Sequence, residues 1–260
     1  DTAIYSARYT RERKWTDHSR LQTGTSTVTP KRLPLWNPVL CSLPESKDIL
    51  LMFKRGANFQ DWYGLLMRSK DGGLTWSTPS ALGPLNKRYQ RLVGPAKNKC
   101  LSTKDGTLLA GASREFSNMR SKTYDGLKQW NVHIEYSKDG ARTWQRTPPI
   151  PFQGRIIQPA LFLDSNGSVC MLARQRGHGE GKAATDVQQS RIVFAKSNSA
   201  DGLNGWMPFR ETTLPCPNSG LDAVRLKDGR ILVIYNHSNR MGVRPPRAQC
   251  AFSPLFHNPG

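Results

Sequence analysis

The sequence predicts an all-β chain made of four-stranded antiparallel units, the blades of a β-propeller. Three observations predict it: a tight-turn motif that recurs in step with tryptophan, a hairpin motif that keeps the same period, and the absence of any stretch with sustained helical periodicity.

The turn motif comes first. SKDGGLTW (69–76) and SKDGARTW (137–144) both spell S-x-D-x-G/A-x-T-W, closing on Trp76 and Trp144. A degraded copy, SNSADGLNGW, ends at Trp206, and YTRERKW ends at Trp15, so that four tryptophans fall at nearly equal intervals along the chain. The Ser and Asp side chains of such a turn accept backbone N–H groups, and Gly supplies the unusual dihedral. Asp71, Asp139 and Asp201 are therefore expected to build turns and not to catalyse. The tryptophans are expected to pack into the hydrophobic layer.

The hairpin motif follows. PVLCSLPESKDILLMFKR, AKNKCLSTKDGTLLAGASR, IIQPALFLDSNGSVCMLARQ and LDAVRLKDGRILVIYNHS each spell strand, tight turn, strand, with turns at Lys47-Asp48, Asp105-Gly106, Asn166-Gly167 and Asp228-Gly229. Asx-Gly between two apolar runs is a strong hairpin signal. Each unit then runs strand, short turn, strand, long loop, strand, Asp-box turn, strand, which is a propeller blade.

Composition narrows the partners. Against 19 Asp and Glu stand 38 Lys and Arg, a formal charge of +19, which favours acidic partners. The basic residues are scattered, and no nucleic-acid-binding signature accompanies them, so nucleic acid is not expected as a partner. No apolar run is long enough to cross a bilayer, so no membrane span is expected. The five cysteines lack close spacing and are expected to be small buried hydrophobes, with neither a disulfide framework nor a metal site. Asn166-Gly-Ser and Asn236-His-Ser spell glycosylation sequons, which matter only in a secreted chain.

In an antiparallel meander successive turns fall at opposite ends. The Asx-Gly and Asp-box turns therefore share one end, and the long loops and blade-to-blade connections share the other, where binding residues concentrate. The connections bring Trp36 and Asn37, Lys97 and Asn98, Gln158, and Asn218 with Asp222 to that end. The inner loops bring Lys54 and Arg55, Arg114 and Glu115, Arg174 and Arg176, and Asn236, His237, Arg240 and Arg244. Arginines among amide side chains suit an anionic sugar, because guanidinium binds carboxylate bidentately.

At the two complete Asp boxes, and at GPAKNK (94–99), IIQPAL (156–161), PCPNSGLDAVRLKDGR (215–230) and VIYNHS (233–238), the chain resembles the BNR/Asp-box sialidase family, in particular its predicted-neuraminidase branch. The resemblance covers essentially all 260 residues. It implies a six-bladed propeller of which residues 1–260 hold about four blade repeats, cut in mid-blade, as one partial propeller domain. A fragment, an aberrant gene model or a degenerate relative all fit that phase. The implied activity is exo-acting hydrolysis of a terminal acidic sugar, as in a sialoglycoconjugate, with no cofactor. The alternatives are a non-catalytic carbohydrate-binding propeller and a hydrolase or lyase of another uronate-containing glycan.

The family mechanism grips the substrate carboxylate with three arginines. A tyrosine activated by a glutamate attacks the anomeric carbon, and an aspartic acid protonates the leaving oxygen. Arg174 matches the second arginine, and Arg244, or failing that Arg240, is the candidate for the third. The first arginine and the aspartic acid would lie upstream of residue 1. Gln158 stands upstream of Arg174 at a position where a glutamate is expected, and Glu115 and Glu135 are the nearest acidic alternatives. Tyr235 is the candidate nucleophile. Asp222 caps a turn or binds substrate. Lys97, Asn218, Asn236, His237 and Trp36 complete the candidate substrate-binding set.

Overall fold

The computed structural model describes residues 2–25, 32–86, 90–115, 130–152, 154–175 and 190–238, together with the backbone of 249–253. Among these residues 17 strands form five antiparallel sheets, and no α-helix occurs. A two-stranded sheet, β1 (Ile4–Ser6) and β2 (Ser19–Gln22), opens the chain. Three four-stranded sheets follow in sequential order: β3 (Leu35–Ser42), β4 (Ile49–Arg55), β5 (Tyr63–Ser69) and β6 (Ser80–Ala81); then β7 (Leu101–Ser102), β8 (Leu108–Arg114), β9 (Asn131–Ser137) and β10 (Gln145–Arg146); then β11 (Ile156–Leu163), β12 (Val169–Gln175), β13 (Arg191–Lys196) and β14 (Arg210–Pro215). A three-stranded sheet, β15 (Leu221–Arg225), β16 (Ile231–Tyr235) and β17 (Gln249–Ser253), closes the order. This is the propeller of four-stranded blades that the repeat predicts.

The core lies between the sheets. Successive residues of β12 feed alternate faces: Val169, Met171 and Ala173 pack with Leu161 of their own blade and with Leu109 and Ile134 of the preceding one, while Cys170 and Leu172 pack with Leu221, Ala223 and Val233 of the following sheet. β4 behaves alike, with Leu51 and Phe53 toward Ile4 and Leu35, and Leu50 and Met52 toward Leu108 and Ala110. A strand whose two faces are both covered is apolar throughout, which explains why ILLMFKR and VCMLARQ lack the polar-apolar alternation of a half-solvated strand. Each such aliphatic side chain contributes about 1.5–3 kcal/mol when fully buried. At Gly111 two blades approach closely, since a Cβ there would lie 2.8 Å from the Pro159 carbonyl oxygen.

All four hairpin turns fall where the Asx-Gly and Lys47-Asp48 pairs place them. In the turn at Asp71, the carboxylate accepts the Leu74 and Thr75 N–H groups at 3.0 and 2.9 Å, and the Ser69 and Thr75 hydroxyls at 2.8 and 2.5 Å. Asp139 repeats the arrangement with Ser137, Arg142 and Thr143. These bonds hold the Asp71 carboxyl at about 2, led by the Thr75 hydroxyl. Hairpin and box turns share one end: Arg68 donates to Asp48 at 2.7 Å and to the Gly140 carbonyl at 2.5 Å, at a cleft also lined by Thr103 and Lys104.

Two expectations are corrected. Cys41 and Cys100 form a disulfide, with 5.6 Å between Cα atoms, that joins β3 to the segment preceding β7. Far apart in the sequence, they meet because the inner strands of neighbouring blades lie side by side, a proximity that linear spacing does not encode. Cys170 and Cys216 are free and buried, as expected. Of the four phased tryptophans, Trp144 is buried, but Trp15 is 70 % exposed, its ring tilted against Tyr9 at 5.3 Å. Ile4 and Leu21 carry the packing of the β1–β2 sheet against the β3–β6 blade, and Trp15 lies in the segment between the two strands, outside that contact.

Candidate functional site

At the other end, three inner strands carry a non-glycine residue in the left-handed region close to their start: Asn37 (φ 46°) within β3, Gln158 (φ 53°) within β11 and Asn218 (φ 55°) ahead of β15. Asn37 and Gln158 each precede a proline and sit where the strand register shifts by a bulge. Left-handed backbone costs about 1–2 kcal/mol for an L-residue, so it persists only where surrounding bonds over-determine it. Three of those bonds cross between blades, and the fourth, from Arg174 to Gln158, joins two strands of one blade. Asn37 Nδ2 donates to the Ala96 carbonyl and Asn98 Nδ2 to the Gln158 carbonyl, both at 3.1 Å. Arg174 donates from Nη1 to Gln158 Oε1 and from Nε to Asn218 Oδ1, both at 2.8 Å.

Lys54 and Arg174 occupy one register position, opposite Trp36 and Ile157 respectively, the residues just before the left-handed Asn37 and Gln158. Their surroundings differ. Lys54 is buried, donates to the Pro95 and Ala96 carbonyls at 2.7 and 2.8 Å, and lies 5.6 Å from the Trp62 ring. Burial pulls its ammonium down to about 7, partly offset by the Glu135 and Glu115 carboxylates. Glu135 is fully buried and accepts the N–H groups of Val93 at 3.0 Å and Gly94 at 2.7 Å, with His133 Nε2 at 3.0 Å. It is thus an inter-blade hydrogen bonder that fixes the connection into the β7–β10 blade.

The remaining candidates fall into small groups. Trp36 is pinned by a 2.9 Å bond from Nε1 to the Gly56 carbonyl and stacks at 5.5 Å on Trp62. Lys97 is exposed and lies against Gly220, where a Cβ would sit 2.6 Å from its Nζ. Asp222 is held by Lys99, whose Nζ reaches Oδ1 at 2.9 Å and the Ala223 carbonyl at 2.6 Å. Tyr235 is buried, its hydroxyl 2.6 Å from His237 Nδ1, and burial pushes its phenol up. The Asn236 carbonyl accepts the Ser238 N–H at 3.1 Å. Glu115 is half-buried and acts on Lys54 electrostatically. Arg176, Arg240 and Arg244 lie outside the described residues.

The structure thus brings Gln158, Arg174 and Asn218 into one hydrogen-bonded group, and Tyr235 and His237 into another. Lys99 and Trp62 escaped the sequence reading. The register of GPAKNK against the other strand starts points to Lys99, whereas Trp62 carries no repeat signal. Among the described residues, no cluster of three His, Cys, Asp or Glu side chains could hold a metal ion, and no helix is long and apolar enough to cross a membrane.

Antiparallel blades in series, with polar strand starts gathered at one end, define a sialidase-like propeller. The chain belongs to the BNR repeat-like domain family, whose model matches residues 1–252. No curated protein matches it in sequence. Among solved structures it is similar to a protein of unknown function from Dyadobacter fermentans (TM-score 0.66, 15 % identity, covering 96 % of this chain and 67 % of that one). It is also similar to the Hadza microbial sialidase Hz136 (0.65, 16 %, covering 95 % and 52 %). A third is an α-L-arabinanase of Penicillium chrysogenum complexed with arabinobiose (0.62, 20 %, covering 91 % and 68 %). At these identities the likeness is one of fold, and the chain spans 52–68 % of their lengths.

Proposed function

We propose that the chain is the glycan-binding part of an exo-acting, sialidase-type glycoside hydrolase that takes a terminal acidic sugar, with Arg174 as a carboxylate contact. The observation that carries this reading is the Arg174 guanidinium, fixed by two neutral amide oxygens at the end opposite the hairpin turns. Orienting a guanidinium before ligand arrives lowers the entropy cost of a bidentate carboxylate contact. Lys97 beside Gly220 adds positive charge nearby, and the Trp36–Trp62 pair offers an aromatic surface to a sugar ring.

A second reading, carbohydrate binding without hydrolysis, is favoured by the acidic candidates. Glu135 is spent on backbone N–H groups, Asp222 on Lys99, and Gln158 stands where a glutamate is expected. The arabinanase neighbour carries a third, hydrolysis of a different sugar on the same fold. Release of 4-methylumbelliferone from its sialic acid conjugate separates the first from the second. Under the first reading, Arg174→Ala lowers kcat/KM at least about tenfold, a loss of about 1.4 kcal/mol of transition-state binding. Unchanged turnover removes Arg174 from the site. Binding of a sialoside without turnover selects the second reading.

A further inference from the structure

The β11–β12 hairpin carries Asn166-Gly167-Ser168, the acceptor tripeptide for N-linked oligosaccharide. Such a tripeptide is common by chance, and its placement decides whether it is usable. Asp164 organises the turn: its Oδ1 accepts the N–H groups of Asn166 and Ser168, both at 2.9 Å, while Lys196 Nζ holds Oδ2 at 2.7 Å. Gly167 takes φ 80° and donates its N–H to the Asp164 carbonyl at 3.1 Å. The turn is therefore fixed by its first residue, and Asn166 stands exposed at the tip.

The disulfide is an independent observation. Cys41 and Cys100 are bonded, while Cys170 and Cys216 remain thiols in the interior. A bond between two blades of an otherwise thiol-containing chain belongs to an oxidising compartment, and the eukaryotic secretory route that oxidises thiols also glycosylates asparagine. The other sequon is placed differently. Asn236 is half-buried, its carbonyl is used by Ser238, and it sits between the paired Tyr235 and His237.

We propose that the protein matures on a secretory route and that Asn166 carries an N-linked oligosaccharide while Asn236 does not. The donor is a polyprenyl-diphosphate-linked oligosaccharide. The bond from the sugar C1 to its phosphate oxygen breaks, a C1–N bond to the Asn166 carboxamide forms, the lipid diphosphate leaves, and the carboxamide proton passes to a base of the transferase. Asn166 lies at the hairpin-turn end, so its glycan projects away from Arg174 and leaves the loop end open to substrate.

The test uses the full chain isolated from the cells that make it, treated with peptide N-glycosidase in heavy-oxygen water. The expected result is loss of one oligosaccharide from the intact mass and a heavy-oxygen aspartate in place of Asn166. Ser168→Ala, made in the same cells, abolishes the shift and keeps the fold, because the Asp164 bond at that position uses only the Ser168 backbone N–H. Alkylation under denaturing, non-reducing conditions labels Cys170 and Cys216 and spares Cys41 and Cys100. An unmodified Asn166, a glycan at Asn236 instead, a shift that survives Ser168→Ala, or labelled Cys41 and Cys100 would each overturn the proposal.

Discussion

Two seams of this propeller put a cation at the same register position and surround it differently. Between the β3–β6 and β7–β10 blades, Lys54 is sealed by two carbonyls and the Trp62 ring, Glu135 ties down the connecting segment, and a disulfide crosses the joint. Between the β11–β14 blade and the β15–β17 sheet, Arg174 is half-buried and held by the side chains of Gln158 and Asn218. The first seam invests its polar groups in one another and in backbone. The second holds its cation by neutral oxygens at a solvent-facing rim. The difference separates a structural joint from a place where ligand can compete, and burial, not residue type, draws the line.

The comparison is broken most directly at Glu135. Glu135→Ala leaves two buried N–H groups without an acceptor and removes the carboxylate that offsets Lys54, so unfolding free energy falls by about 3–5 kcal/mol, read by guanidinium titration. A loss below about 1 kcal/mol would show that the seam relaxes or admits water. The disulfide comes next. Cys41→Ser with Cys100→Ser costs roughly 2–4 kcal/mol, and reduction of the unaltered protein lowers its Tm in the same direction.

Lys54 sharpens the contrast through pH. Its folded value of about 7 lies below the ordinary 10.5, so between these values the unfolded chain holds a proton that the folded chain has released. Stability from this group therefore rises with pH across that window, and the penalty is fully present below about 7. Lys54→Met removes the dependence. Denaturant titrations at several pH values should show the unaltered protein gaining on the variant as pH rises, and a pH-independent gap would mean that water reaches the ammonium. The smallest stability effect belongs to Arg174→Ala, about 1 kcal/mol for two bonds at a half-buried site, so its consequence should appear in glycan binding.

Much of the fold was legible because its instructions are short. Asp71 and Asp139 find all their partners within the same turn, and Asn166-Gly167 and Asp228-Gly229 reverse the chain by themselves. The candidate site was legible in part: the meander sends Gln158, Arg174 and Asn218 to one end whatever their contacts. Other features were not readable in this way. Lys54 and Arg174 look alike in sequence, each near the end of an apolar run, and only the next blade makes one a buried joint. Lys99 meets Asp222 across an intervening blade, and Trp15 keeps the phase of its repeat yet stays exposed.

The amino-acid order by itself determined the strands, the four hairpins, the aspartate turns and the end at which long loops gather. Each depends on dihedral preferences and hydrogen bonds between residues a few positions apart, which act before any tertiary contact forms. Only the tertiary structure decided that Cys41 bonds Cys100, that Glu135 is buried beside Lys54, and that Arg174 is clasped by two amides. These are meetings of segments distant in the sequence, and desolvation, which sets their charge and strength, exists only once the blades have closed on one another.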